Sequence, residues 1–253
     1  TPALTIFEPG LVSLPDIRET SPTVTADGET LVFARTTGWR EKVPYIAQKT
    51  DDGWEVERLM FADTIYNLAI SPAGNMIIFK QYEDISEDES VSHTYTVERR
   101  ADGWEPPIEQ NDLYNINAGY FCLMGKGEKL YYFGRWPQAG IYETMRGADG
   151  QYSKGVLVSE AVSIPNTTTF DALIHPDENK LIVTRAGLSD EQAKELGERG
   201  YYLYEKQDGK WKEIKRLNLP YGWGATIWPD GNLMFVEEGD LQVVNIEELG
   251  FEW

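Results

Sequence analysis

The chain is poor in cysteine, histidine and positive charge, and each shortage excludes a class of protein. A single cysteine among 253 residues, Cys122, excludes an internal disulfide and a cysteine-rich metal site, so we expect it to be a small buried apolar residue. The 42 acidic residues outnumber the 23 basic ones and give a formal net charge of −19. A surface of that charge repels DNA, RNA and anionic membranes, so we expect no nucleic-acid partner. No apolar run in the sequence is long enough for a membrane-spanning helix, and we expect no membrane insertion.

The two histidines and the missing motifs restrict the available chemistry further. His93 and His175 lack further ligands at the spacing of a zinc site. The sequence contains no G-x-S-x-G, phosphate-binding loop or dinucleotide fingerprint. The acidic run at 83–89 lacks the alternating spacing and the glycine of a calcium loop. The sequence therefore predicts no metal site and no cofactor.

What the sequence does contain is a fivefold repeat. Short runs of β-forming residues flank a tight turn in five places, and these turns recur every 46 to 53 residues. The five turns are Asp27-Gly28, Ala73-Gly74, Lys126-Gly127, Asp177-Glu178 and Asp230-Gly231. Four units contain a second hairpin with an Asp-Gly turn, and an aromatic residue follows each of those turns within two positions. A period of this length made only of strands and turns is typical of β-propeller blades.

The fifth unit provides only three strands, and the segment LTIFEPGLVSLP at 4–15 can supply the fourth. Pairing the two ends of the chain in one blade closes the ring and removes two exposed sheet edges. We therefore predict an all-β fold, a five-bladed β-propeller of four-stranded antiparallel blades whose last blade is closed by the N-terminal strand. The chain, 1–253, is then a single domain with blades at 16–62, 63–112, 113–162, 163–219 and 220–253 plus 4–15. An open β-sandwich is the alternative, but it leaves the period unexplained.

The repeat units resemble those of TolB-type, WD40-like β-propeller repeat proteins, which are bacterial. The shared features are units of the form P-x-x-S-P-D-G-x-x-L-x-F followed by D-G-x-W, after an opening I-F-x-P-G-L-V-S. The resemblance covers essentially the whole chain, but its motifs specify turns and core alternation, so they indicate the fold and not an activity. It implies a periplasmic or secreted protein that binds a protein or glycan partner or forms part of an enzyme.

The predicted topology places the short hairpin turns on one face of the ring and the longer connections on the other. The insertions at 81–93 and 186–200 fall on the second face, so we expect the function at this loop-rich mouth of the central channel. The second insertion has helix signals, with Ser189 as N-cap and Gly197 or Gly200 at its end. Such a helix is either a lid over the mouth or a solvated ornament.

Cations recur where the second strand of each blade reaches the mouth. Four of the five strand ends contain one, and these are Arg35, Lys80, Arg135 and Arg185. Converging cations would form a positive spot that attracts a carboxylate, sulfate or phosphate. The alternative is that each cation pairs with an acidic neighbour such as Asp171, Glu19 or Glu237 and joins adjacent blades.

Aromatic and amide side chains near the mouth are further candidates for ligand binding. The candidates are Asn67, Tyr114, Tyr120, Phe170 and Trp223, with Tyr66, Tyr221, Trp39 and Trp136 nearby. Flat rings beside polar groups suit the faces of sugars or of aromatic ligands. The same rings would equally fill the wedges between blades.

Two functions fit these features. The first is a monomeric extracytoplasmic propeller that binds a small anionic or saccharide ligand, or a partner peptide, at the mouth. The second is a carbohydrate-active hydrolase or lyase at the same place. Asp171, Glu19 and Glu237 could act there as a paired acid and base, or Tyr66 could remove a proton α to an arginine-held carboxylate. The lack of a nucleophile, metal site or cofactor motif favours binding.

Overall fold

Five antiparallel sheets stand as blades around a central channel in the computed structural model, which describes residues 2–38, 41–86, 89–113, 118–135 and 137–253. The predicted five-bladed propeller is confirmed. The chain begins with a short strand, β1 (Thr5–Ile6), and then builds the blades in order.

The first two blades are built as follows. Blade 1 contains β2 (Arg18–Val24), β3 (Thr30–Thr36), β4 (Val43–Thr50) and β5 (Gly53–Arg58). Blade 2 contains β6 (Asn67–Ile70), β7 (Met76–Asp84) and β8 (Ser90–Arg100), and its outer position is shared by β9 (Gly103–Trp104) and β10 (Ile108–Glu109).

The other three blades complete the ring. Blade 3 contains β11 (Gly119–Met124), β12 (Lys129–Gly134), β13 (Gly140–Met145) and β14 (Val156–Leu157). Blade 4 contains β15 (Thr168–Ile174), β16 (Lys180–Ala186), β17 (Gly200–Gln207) and β18 (Lys210–Arg216), with the helix α1 (Asp190–Leu196) between its second and third strands. Blade 5 contains β19 (Trp223–Ile227), β20 (Asn232–Glu237) and β21 (Asp240–Asn245), followed by β1 at its outer edge.

The N-terminal strand closes the ring as the sequence predicted. In the antiparallel pair of β1 and β21, Thr5 lies opposite Val243 and Ile6 lies opposite Gln242. The Phe7 amide extends this ladder by donating to the carbonyl of Leu241 at 2.9 Å. The two ends of the chain thereby share one sheet, and the edge of β21 is paired.

The core lies between the blades, because each inner sheet packs against a neighbour on both of its faces. All residues from Leu31 to Ala34 on β3 and from Met76 to Phe79 on β7 are buried. Backbone hydrogen bonds also link successive hairpin turns: the Ala26 amide donates to Pro72 and the Ala73 amide to Gly125. These bonds link neighbouring blades on the face that carries the short turns, which we call the turn face.

The second insertion contains the helix that its capping residues predicted. Ser189 accepts the Gln192 amide at 3.2 Å and donates its own amide to the Gln192 side chain, so the two residues form a capping box. Gly197 ends the helix. Gln192 also donates to the carbonyl of Asn166 within blade 4, and Arg185 donates to the last carbonyl of α1, so the helix is fastened to its own blade.

Neither α1 nor a 3-10 turn of the described chain has the length and apolar character that a bilayer crossing requires.

Candidate functional site

The innermost strand of four blades bulges at the same level of the channel. The pairing register shifts in β2, β11, β15 and β19, and at each shift one residue adopts a left-handed backbone conformation. These residues are Ser21 (φ 55°), Tyr120 (φ 52°), Asp171 (φ 53°) and Gly224 (φ 69°). In blade 2 the regular strand β6 presents Leu68 beside them. We call these five residues the throat, and they line a cavity of about 30 Å³.

The throat is strained, and strain of this kind is typical of functional sites. A left-handed conformation costs a residue with a side chain about 1–2 kcal/mol, and Ser21, Tyr120 and Asp171 each adopt it. Bulges of this type redirect a side chain that regular pairing would leave on one face of the sheet. Here they bring a hydroxyl, a phenol and a carboxyl toward one axis.

Asp171 is the carboxyl of the throat, and it titrates near neutral pH. Its side chain is 9% exposed, and Oδ2 accepts the Gly224 amide at 2.9 Å, with the Thr184 hydroxyl at 3.5 Å. Burial raises its pKa to about 7, while these two donors and the positive charge of Lys42 reduce the rise. Asp171 can therefore exchange a proton under physiological conditions.

Three cations lie around the mouth, and two of them were sequence candidates. Lys80 is 3% exposed, with its ammonium 4.7 Å from the ring centre of Tyr82. Burial, and after it the positive charge of Arg135, lower the pKa of Lys80 to about 7. Arg135 itself is exposed and lies 5.5 Å from the ring of Phe133. The proximity of two like charges shows that both cations belong to one region.

The third cation, Lys42, was missed by the sequence analysis. It directly precedes β4, and its ammonium lies 4.3 Å from the ring centre of Tyr66. Burial lowers its pKa to about 8, and the negative charge of Asp171 opposes that shift. Within the described ranges, neither Lys42 nor Arg135 has a carboxylate at ion-pair distance. Lys42 ends a connection on the loop-rich face, so examining every connection there, not only strand ends, would have found it.

Aromatic rings form one wall between the mouth and the throat. The hydroxyls of Tyr66 and Tyr120 lie 3.5 Å apart, and the ring of Tyr120 lies 4.9 Å from that of Phe170. Trp223 lines the cavity and directs its indole N–H toward the Thr20 hydroxyl at 3.4 Å. Burial raises the pKa of Tyr120 well above its usual range, so its hydroxyl stays protonated. The candidate Tyr114, like Trp39 and Trp136, lies outside the described residues.

The expectation that four cations converge is wrong for Arg185. Its side chain is fully buried on blade 4, where Nη2 donates to Tyr204 and to the Glu213 carboxylate at 2.6 Å. Glu213 lies on β18, the outermost strand of the blade, so the guanidinium extends along the sheet and away from the channel. Arg185 therefore pairs with an acidic neighbour, which was the alternative to anion binding, and it joins β16, β17 and β18 to α1.

Arg35 also has a structural role. Its Nη2 donates to the carbonyls of Leu11 at 2.5 Å and Val12 at 2.9 Å, and its guanidinium lies 4.6 Å from the ring of Tyr45. These contacts fasten the segment between β1 and β2 to blade 1. The structure favours the structural alternative at Arg35 over the expected ligand contact, because Nη2 is directed at two backbone carbonyls and Nε faces the Glu19 carboxyl at 3.7 Å.

Glu19 cannot act as the predicted catalytic acid or base, because its side chain has no exposed surface. Its Oε1 accepts the Leu14 amide at 3.2 Å and lies 3.7 Å from Nε of Arg35. Burial raises its pKa to about 7 despite these two partners. The third acidic candidate, Glu237, remains half-buried at the mouth, and burial followed by the charge of Glu238 raises its pKa.

The turn face is less plain than the sequence analysis expected. The channel widens there into a cavity of about 530 Å³ with a largely apolar wall that includes Phe121, Ile174 and Trp228. Cys122 lies on this wall and is half-buried, not fully buried as expected. Its pKa is raised to about 11 by burial, so it is a neutral thiol at physiological pH.

Comparison with known proteins supports the fold and little beyond it. No protein-family model and no curated protein matches the sequence. A solved structure described as TolB from Agrobacterium tumefaciens has 16% identity and a TM-score of 0.52, covering 88% of this chain and 69% of that one. A mannose phosphorylase from Leishmania mexicana, solved with a phosphate ion, has 12% identity and a TM-score of 0.56, covering 98% and 91%.

A gluconolactonase from Xanthomonas campestris is similar to the same degree. It has 11% identity and a TM-score of 0.54, and the match covers 97% of this chain and 95% of that one. Identities this low show a shared fold and carry no activity from one protein to another. The resemblance to TolB-type β-propellers is thus confirmed at the level of the fold.

Proposed function

We propose that this protein binds a small carboxylated ligand of the saccharide class at the loop-rich mouth. The observation that carries the proposal is the gathering of Lys42, Lys80 and Arg135 in a protein whose net charge is −19. Buried cations are costly unless an anion accompanies them. Lys42 is half-buried and feels the negative charge of Asp171, but it has no carboxylate at ion-pair distance among the described residues, and a ligand carboxylate would supply one.

The surrounding groups favour a ligand with hydroxyls and a flat face. Tyr66, Tyr120 and Trp223 present rings and polar edges beside the cations. Asp171 is largely protonated below its pKa of about 7, so it adds little repulsion toward an anion there and can donate a hydrogen bond. The names of two structural neighbours, a mannose phosphorylase and a gluconolactonase, concern sugar chemistry, which agrees with this class of ligand without establishing it.

Calorimetric titration tests the proposal with gluconate and galacturonate as acidic probes and glucitol as a neutral control. We expect both acids to bind and glucitol to bind more weakly. Lys42→Met and Arg135→Gln each remove one charged contact, and such a contact is worth about 1.5–3 kcal/mol, so each variant should lose affinity at least about tenfold. Lys210→Met, an exposed change on the outer strand β18, is the matched control and should bind as the wild type does.

Two results would refute the anion site. One is the absence of heat with every acid at concentrations well above those of ordinary metabolites. The other is an unchanged affinity in both Lys42→Met and Arg135→Gln while the thermal midpoints of the variants match that of the wild type.

A second candidate function is proton-transfer chemistry on such a ligand, and Asp171 is the reason to test it. A buried carboxyl with a pKa of about 7, which accepts the Gly224 amide and lies on a left-handed backbone, suits an acid or base that works at neutral pH. Nitrophenyl glycosides and oligouronates test for glycoside cleavage and for β-elimination. Turnover that disappears in Asp171→Asn, with ligand affinity retained, would establish an enzyme. If neither the wild type nor Asp171→Asn shows turnover, ligand binding remains the only proposed function of the site.

The extracytoplasmic location and the protein partner that the TolB-type resemblance implies are also proposals. They are supported by the shared fold. Fractionation of cells that express the natural gene, with an antibody against the protein, tests the location directly.

A further inference from the structure

We propose that the cavity at the turn face binds a small aromatic cation, a molecule with a flat apolar body and one positively charged amine. We call this space the turn-face cavity. It lies at the opposite end of the channel from the proposed carboxylate site. Asn67, Tyr120 and Asp171 line the throat cavity but not the turn-face cavity, so the two ends share no candidate ligand residue. Binding at the turn face is therefore independent of the proposed function.

The turn-face cavity has the size of a ligand pocket and a narrow inner end. Its volume is about 530 Å³, within the range of about 300–1,000 Å³ that is usual for small-molecule sites. Toward the mouth it adjoins the throat cavity of about 30 Å³, and both are lined by Thr23, Phe121, Ala172 and Ala225. The smaller space has room for about one water molecule, so a ligand that enters from the turn face stops at the throat. This shape suits a compact molecule that lies wholly inside the cavity.

The wall of the turn-face cavity is apolar and partly aromatic. Phe121 and Trp228 line it, and so does the ring of Trp253, which lies 5.5 Å from that of His175. No lysine, arginine, aspartate or glutamate is among the described residues that line it. Water in such a cavity finds few hydrogen-bond partners, so a flat apolar body that displaces it gains free energy. The wall therefore favours an aromatic body over a sugar.

Acidic side chains surround the opening of the cavity. Asp27, Asp177 and Asp230 directly follow lining residues in the short turns of blades 1, 4 and 5, and all three are exposed. Lys126 holds the corresponding position in blade 3, where its backbone amide donates to the Glu128 carboxylate at 2.6 Å. Carboxylates thus outnumber the cation at this rim. A rim of that charge attracts a cation and repels an anion.

An aromatic amine complements both the wall and the rim. Its rings enter the cavity, and its ammonium group stays at the opening, where the acids and the faces of the tryptophan rings attract it. The acids are exposed, so salt screens them and each contributes little. Burial of the rings should therefore provide most of the affinity, and the rim should set the preference for positive charge.

Calorimetric titration with three naphthalene compounds tests the ligand class. The compounds are 1-naphthylmethylamine, a cation, 1-naphthylmethanol, which is neutral, and 1-naphthylacetate, an anion. At low ionic strength we expect the amine to bind at least about threefold more tightly than the alcohol, and the acetate to bind most weakly. Sodium chloride at roughly 0.5 M should bring the three affinities closer together. Binding should show a negative heat capacity change, because it buries apolar surface.

Ala225→Leu tests the place of binding. Ala225 lines the cavity and is half-buried, so a larger side chain there occupies space that the ligand needs. The variant should bind the amine at least about tenfold more weakly. Ala101→Leu makes the same change at an exposed residue of the turn between β8 and β9, away from the cavity, and should bind as the wild type does.

A pair of charge variants tests the rim. Asp177→Asn combined with Asp230→Asn should remove most of the preference for the amine over the alcohol at low ionic strength, because it removes two of the carboxylates at the opening. Asp51→Asn combined with Asp52→Asn is the matched control. It makes the same change of charge at the exposed turn between β4 and β5, on the outer edge of blade 1, and should keep the preference.

Cys122 reports occupancy in the wild type, where no variant has to fold. It is the single cysteine of the chain, and it lies on the wall of the cavity. The amine at ten times its Kd should slow the reaction of this thiol with methyl methanethiosulfonate about tenfold, as measured by mass spectrometry. The acetate at the same concentration should slow it less.

Three results would overturn the aromatic-cation site. They are no heat with the amine at millimolar concentration, an amine that binds no better than the acetate at low ionic strength, and a Cys122 that the amine does not protect. Full affinity for the amine in Ala225→Leu would also exclude this cavity. Lys42→Met should bind the amine as the wild type does, so the failure of either site leaves the other standing.

Discussion

The buried carboxyl of Glu19 makes stability depend on pH in a way that one substitution can isolate. Its pKa is about 7 in the folded protein and 4.5 in an unfolded chain, because burial outweighs the Leu14 amide and Arg35. Between those values the folded state binds the proton more tightly than the unfolded state does. The contribution of Glu19 to the free energy of unfolding therefore falls as pH rises from 4.5 through 7 and is constant above that range.

The size of the effect follows from the shift. A difference of about 2.5 pKa units corresponds to at most about 3 kcal/mol, which the protein loses once Glu19 must be ionised. Glu19→Gln keeps an oxygen for the Leu14 amide, and Arg35 keeps its bonds to the carbonyls of Leu11 and Val12. The variant gives up only the 3.7 Å contact with Arg35, which is too long for a hydrogen bond.

We therefore expect Glu19→Gln to match the wild type near pH 4.5 and to exceed its stability by about 1–3 kcal/mol at pH 8. Denaturant unfolding followed by tryptophan fluorescence at pH 4.5, 6, 7 and 8 measures the difference, and taking wild type against variant cancels Asp171, which titrates in the same window. Glu29→Gln, in an exposed pair with Lys49, is the control and should change stability by less than about 0.5 kcal/mol at every pH. A variant less stable than the wild type at pH 8 would refute the reasoning, because the attraction of Arg35 would then exceed the cost of burial.

Two further predictions concern the cations. Arg185→Met should destabilise the protein by about 2–4 kcal/mol, because it leaves Glu213 and Tyr204 without the donor that they share. The ligand affinity measured by titration should not change. A variant with lower affinity and unchanged stability would show that Arg185 contacts the ligand. Carboxylate affinity should fall about tenfold per pH unit above pH 7, because Lys80 is then mostly a neutral amine that must take up a proton to pair with the ligand, and because Asp171 is then an anion that repels it. Lys80→Met should make this pH dependence weaker. An affinity that is constant or rises with pH would contradict the roles of both residues.

The fold was predictable because the same short sequence pattern, a tight turn between two β-forming runs, repeats along the chain. Each blade carries a tight turn between short strands, and the period of these turns is the spacing of the blades. The pairing of β1 with β21 followed from the missing strand in the last unit. The helix α1 followed from Ser189 and Gly197, whose side chains and backbone freedom act within one turn of the chain.

The site was predictable only in position, because its chemistry depends on features that the sequence does not show. Alternation along a strand placed Arg35 and Arg185 at the mouth end of the sheet but did not say that their side chains extend outward. The bulges are equally hidden, since Ser21 and Tyr120 are residue types that seldom adopt a left-handed conformation, and aspartate adopts it more often but still in a minority of cases. Only Gly224 has the residue type that such a position ordinarily favours.

A protein with a net charge of −19 can still hold an anion, because the charges that decide binding are those nearest the ligand. Exposed carboxylates beyond about 8 Å are largely screened at physiological ionic strength, whereas buried groups are screened much less. Lys80 is buried and Lys42 is half-buried, and burial lowers the pKa of each. Their lowered pKa values show that the folded protein makes each positive charge costly. In the proposed function, a ligand carboxylate near these lysines would stabilise their charged forms, so its binding would raise both pKa values.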